Sequence, residues 1–72
     1  MKRYAIGLCS FEEDIEVVII EAENEIFAMH KAVANKLNWH IKEDEVSLID
    51  SVDKAIDFYL QGDVNISRPV QV

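Results

Sequence analysis

The sequence predicts an α+β domain in which an antiparallel sheet packs against two helices, in the order β-β-α-β-α-β. Three observations carry this reading. Residues 3–10 alternate Tyr4, Ile6 and Leu8 with Arg3, Ala5 and Gly7, the period of two of a half-buried strand. Residues 15–22 (IEVVIIEA) are dense in β-branched side chains, which suit a pleated surface. Beyond them the period changes: Ile26, Met29, Val33 and Leu37 recur at three- and four-residue steps, the buried stripe of an amphipathic helix.

The connector FEED joins the first two segments as a hairpin, with Ile15, Val17 and Ile19 on one face and Val18 and Ile20 on the other. Asn24 is a suitable N-cap for the helix, Glu25 favours its first turn, and Lys36 favours its last. Residues 38–45 are polar apart from Trp39 and Ile41 and read as a connection. Val46–Ile49 is read as a third strand, followed by a helix capped at Asp50 or Ser51. The alternative is one long helix from Asp44 to Gln61, because Val46, Ile49, Val52, Ile56 and Leu60 also fit helical spacing. Gly62 is placed to end that helix in a left-handed conformation. In the tail, Val64, Ile66 and Arg68 alternate with Asn65 and Ser67 as a last strand. Pro69 lacks an N–H, so this strand belongs at an edge or leaves the sheet there.

A chain of 72 residues accommodates one domain, spanning 1–72, and buries about 60 % of the surface it exposes unfolded. Half its residues are hydrophobic, enough apolar content to exclude disorder. Fourteen Asp and Glu face seven Lys and Arg, a net charge of −7 opposite in sign to that of a direct nucleic-acid binder. Cys9 is the single cysteine, so no internal disulfide forms and a reducing compartment is expected. The N-terminal apolar stretch is too short for a signal peptide and runs into Glu12, Glu13 and Asp14. No apolar run approaches the eighteen or so residues of a membrane span. The expectation is a cytoplasmic protein.

The acids are the least random feature. Glu12, Glu13, Asp14, Glu16, Glu21, Glu23 and Glu25 fall within fourteen positions, and no Lys or Arg lies between Arg3 and Lys31. On a helix, Asp50, Asp53 and Asp57 share one face with neighbours roughly 5–6 Å apart, a like-charge spacing that opposes folding by a few tenths of a kcal/mol. Carboxylates fixed in this way offer a basic surface a row resembling duplex phosphates. The competing account is ordinary acidity that keeps a small domain soluble. On the mimicry account, the partner-binding residues are Asp50, Asp53 and Asp57, with Glu12, Glu13, Asp14 and Glu16 at the hairpin.

Catalysis and metal binding find less support. The spacing of Glu12, Glu13 and Asp14 does not match a calcium loop. Cys9, His30 and His40 lack the paired spacing of a zinc site. No catalytic residue, metal or cofactor is expected. Phe58 reads as core, whereas Trp39, in a polar loop, is the more open of the aromatics. An adaptor or enzyme inhibitor binding through Trp39 or a sheet edge, with incidental acidity, is the alternative function. Pairing of an exposed edge across a two-fold axis would give a homodimer.

The runs VVIIEAENEIFAMHKAV and VDKAIDFYLQG resemble the hairpin–helix units of small phage-encoded proteins. In size and acidity the whole chain resembles the small acidic early proteins that lytic phages of Gram-positive bacteria make during host takeover. Some of these are DNA mimics, and one kind blocks the nucleoid-associated protein HU by occupying its DNA-binding surface. The resemblance implies a non-enzymatic inhibitor acting in the host cytoplasm on a basic nucleic-acid-binding protein, without itself touching nucleic acid or membrane. It assigns no individual residue a role.

Overall fold

The central strand β1 (Lys2–Ser10) holds the sheet together. The structure, a computed structural model, describes residues 1–10 and 14–72, with Glu43 described for its backbone only. β1 pairs antiparallel with β2 (Glu16–Ala22), from Lys2 opposite Ala22 to Leu8 opposite Glu16. The expected hairpin pairing is thus present, while most of its FEED turn lies outside the described residues. Along the other side of β1 run β3 (Val64–Ile66) and β4 (Val70–Gln71), both antiparallel to it. Leu8 faces Ile66 and Ala5 faces Val70, so Ile6 and Gly7 are matched by the three residues Ser67, Arg68 and Pro69. That extra residue is a bulge. Ser67 bridges it twice: its N–H donates to the Gly7 carbonyl (2.7 Å) and its Oγ accepts from the Gly7 N–H (2.8 Å). Pro69 occupies the edge of the sheet, where its missing N–H costs no ladder bond.

Three helices follow the hairpin: α1 (Glu25–Leu37), the single turn α2 (Glu43–Val46) and α3 (Val52–Gln61). Asn24 caps α1 as expected, its side chain accepting the Phe27 N–H at 2.9 Å, and Asn38 ends it in the left-handed conformation (φ 55°). α1 and α3 cover one face of the sheet. Tyr4, Ile6 and Leu8 of β1 meet Met29 and Val33 of α1, Tyr59 of α3, and Val64 and Ile66 of β3 in one core. Ala28, Ala32 and Ala55 are fully buried, and their small side chains let the helices approach closely. Ile26 and Leu37 complete the α1 stripe from its half-buried ends. The result is the expected α+β domain with a four-stranded antiparallel sheet.

Two local expectations are corrected. Val46–Ile49 is neither a strand nor the opening of a long helix: α2 stops at Val46, and α3 begins afresh after Ser51. Leu48 N–H donates to the Glu45 carbonyl and Ile49 N–H to the Val46 carbonyl, both at 3.1 Å, so the chain tightens out of the α-helix. Ser47 Oγ donates to the Asp44 carbonyl, and Ser51 Oγ accepts the Lys54 N–H. Hydroxyls that compete for backbone groups in this way interrupt a helix that apolar spacing alone would permit. The fourth strand is the C-terminal β4.

The second correction concerns Gly62, whose φ of −97° is open to any residue; the left-handed position falls on Asp63 (φ 62°). Space, not φ, demands the glycine, because a Cβ there would lie 2.5 Å from Cη2 of Trp39. Gly62→Ala is therefore expected to destabilise the domain by about 1–3 kcal/mol through overpacking. At about 4–8 °C per kcal/mol this is a large drop in the thermal midpoint followed by circular dichroism. An unchanged midpoint would show that the indole moves aside without cost.

Candidate functional site

Strand alternation divides the charge. Tyr4, Ile6, Leu8, Val18 and Ile20 point toward the helices, so Arg3, Ala5, Gly7, Val17, Ile19 and Glu21 point the other way, onto a sheet face that none of the described elements covers. Arg3 and Glu21, an ion pair at 3.6 Å, are the charges that alternation and register place on this face among the described residues. Asp44, Glu45, Asp50, Asp53 and Asp57 are all exposed on α2, α3 and their connection. These five carboxylates thus stand on the helix-bearing side.

The expected contact residues do not form one ridge. Asp50 pairs with Lys54 one turn on (2.9 Å), and that ammonium, by hydrogen bond first and charge second, holds the Asp50 carboxyl below its ordinary range. Asp53 pairs with Arg68 of the bulge, so two cations stand in the row formed with Asp57. Asp57 makes no ion pair among the described residues. Glu16 lies on β2 and pairs with Lys36 of α1, whereas α3 packs over β3 at the opposite side of the sheet. Asp14 is exposed two residues before β2. Glu12 and Glu13 lie outside the described residues. Exposed ion pairs contribute only about 0–1 kcal/mol each, so a partner's cations can displace them. The bare phosphate-like spacing is nevertheless interrupted.

A feature that sequence patterning missed lies beside Asp57. α2 and α3 enclose a groove of ≈ 430 Å³ lined by Ile49, Phe58 and Leu48, with Glu45, Asp57, Lys54 and Gln61 around it. Leu48 is 76 % exposed. Its signal in the sequence was weak: an apolar Leu48–Ile49 pair that one turn of helix cannot bury on a single side. Trp39 is not the open anchor expected. It is half-buried, stacked on Phe58 (centroids 5.6 Å, planes 25° apart) and edge-on to Tyr59 (5.4 Å).

His30 and Tyr59 form the remaining polar group of interest. His30 Nδ1 is hydrogen-bonded to the Tyr59 hydroxyl, and Nε2 is buried with no hydrogen-bond partner among the described residues. Desolvation pushes the His30 pKa down from 6.5 and the Tyr59 pKa up, so both are held neutral. Cys9 stands on the open face, with the sheet between it and α1, so no cysteine–histidine pair arises. Among the described residues no three His, Cys, Asp or Glu are grouped to hold a metal. Between the lowered His30 pKa and 6.5 the unfolded chain binds more protons than the folded one. His30 therefore supports stability fully above about pH 6.5 and loses that support as pH falls. Urea midpoints are expected to decline from pH 7.5 to 5.5, and His30→Phe should flatten that decline; an equal decline in both proteins would place its cause elsewhere.

Among the described residues no helix is long and apolar enough to cross a membrane. Comparison of the chain with protein-family models, curated proteins and solved structures gave no match.

Proposed function

We propose that the chain is a non-enzymatic acidic binding protein whose helix-bearing side occupies the basic surface of a nucleic-acid-binding protein, in the place a nucleic acid would take. The observation that carries this reading is the partition of charge among the described residues: Asp44, Glu45, Asp50, Asp53 and Asp57 are exposed on α2, α3 and their connection beside an apolar groove, whereas the open sheet carries the Arg3–Glu21 ion pair. A negative field gathered on one side steers a basic partner into contact. Leu48 then supplies apolar contact that phosphates alone do not offer, and Glu45 and Asp57 receive the partner's Lys and Arg.

The test is capture from a bacterial lysate at low salt on immobilised chain, with elution by duplex DNA. Basic DNA-binding proteins of the HU kind are expected in the eluate. Glu45→Lys with Asp57→Lys should lose them while keeping its circular dichroism, since exposed substitutions rarely cost much stability. An eluate from the unaltered chain that holds no basic nucleic-acid-binding protein contradicts the reading.

A further inference from the structure

The face of the sheet turned away from the helices breaks the usual pattern of a solvated sheet. An antiparallel sheet with one wet face alternates apolar and polar residues. In β2, however, Val18 and Ile20 face the helices while Val17 and Ile19 stand outward, 66 % and 52 % exposed. Ala5 and Gly7 of β1 continue the surface, and Val70, opposite Ala5 and 61 % exposed, extends it across β4. Val72, whose N–H donates to the Arg3 carbonyl, adds to it beyond β4. This is the composition of a strand layer covered on both sides.

We propose that a second copy of this chain covers this face, sheet against sheet about a two-fold axis. Charge selects that occupant. Two molecules of −7 repel wherever their helix-bearing sides meet, whereas the side-chain charges on the open face among the described residues are Arg3 and Glu21, which balance. A two-fold axis is isologous, so Arg3 of each copy can exchange its own Glu21 for that of the partner. The small side chain of Ala5 at the centre leaves room for outward valines and isoleucines of the facing sheet, while beside Gly7 the chain's own Ser67 and Ile15 stand within 3.6–3.8 Å of where a Cβ would lie. Size agrees as well: three strands about 4.8 Å apart and about seven residues long at about 3.3 Å give a face of roughly 14 × 23 Å. Two such faces amount to roughly 640 Å² before side-chain relief is counted, the size of a weak, concentration-dependent dimer. Both helix-bearing sides stay outward in this dimer.

Sedimentation equilibrium from 1 to 500 μM tests it. The unaltered chain should shift toward twice its 8.3 kDa mass as concentration rises. Val17→Thr with Ile19→Thr keeps β-branched side chains at exposed sites and should weaken dimerisation at least tenfold while the monomer stays folded. Arg3→Glu, which makes the face negative, should do the same, and Arg3→Glu combined with Glu21→Arg should restore the dimer. A chain that is monomeric throughout overturns the proposal. So does a dimer indifferent to these changes, which would point to pairing along the free edge of β2 instead.

Discussion

Val33→Asp is expected to leave the chain unfolded at 25 °C in dilute buffer. Val33 is fully buried between α1 and the sheet, among Ile6, Met29 and Tyr59 of the same core. An uncompensated charge at such a position costs about 3–5 kcal/mol, and the apolar burial of the valine is lost besides. A domain of this length has about 4–11 kcal/mol in total, at about 0.05–0.15 kcal/mol per residue. Far-ultraviolet circular dichroism should show loss of the helical signal, whereas Val33→Ala should remain folded with a lowered urea midpoint. Native dichroism for Val33→Asp would mean that the α1–sheet interface is looser than the structure describes.

The second large effect is expected at Tyr59. Its ring is fully buried and touches three others, edge-on to His30, Trp39 and Phe58 at 5.4–5.8 Å between centroids. Tyr59→Ala should cost about 3–5 kcal/mol, as other buried aromatic truncations do. Tyr59→Phe keeps the ring and removes only the hydroxyl, leaving Nδ1 of His30, like Nε2, without a hydrogen-bond partner among the described residues. That variant should cost about 1–3 kcal/mol, the penalty of a buried polar group without a partner. Urea titrations separate the two contributions. Equal losses for both variants would assign the whole effect to the hydrogen bond rather than to packing.

Much of this fold was legible because its periods are clean. Alternation in β1, β-branched density in β2 and the Ile26–Leu37 stripe each admit one secondary structure, and the Asn24 cap follows from local chemistry. The segment Val46–Ile49 was not legible, because four apolar-rich residues satisfy strand and helix spacing alike. What decided it were the hydroxyl groups of Ser47 and Ser51, which no periodicity counts. The bulge at Ser67–Pro69 was half legible: Pro69 announced an edge, but only the register shows Ser67 repairing the ladder.

The charged site shows the same division. Lys54 lies one helical turn from Asp50, so that ion pair could be read from spacing. Lys36 with Glu16 and Arg68 with Asp53 join residues twenty and fifteen positions apart, and folding alone brings them together. Counting acids along the chain therefore overstated how bare the α3 row is, while the α2–α3 groove, with Leu48 at its rim, escaped notice because α2 itself did.

The account rests on binding driven by the carboxylates of the helix-bearing side, and the salt dependence of affinity tests this most directly. For a basic protein eluted by DNA from the immobilised chain, the logarithm of the binding constant should fall linearly with the logarithm of salt concentration, at least about tenfold between roughly 50 and 200 mM. A constant that stays flat across that range would contradict the account and leave the acidity without a part in binding.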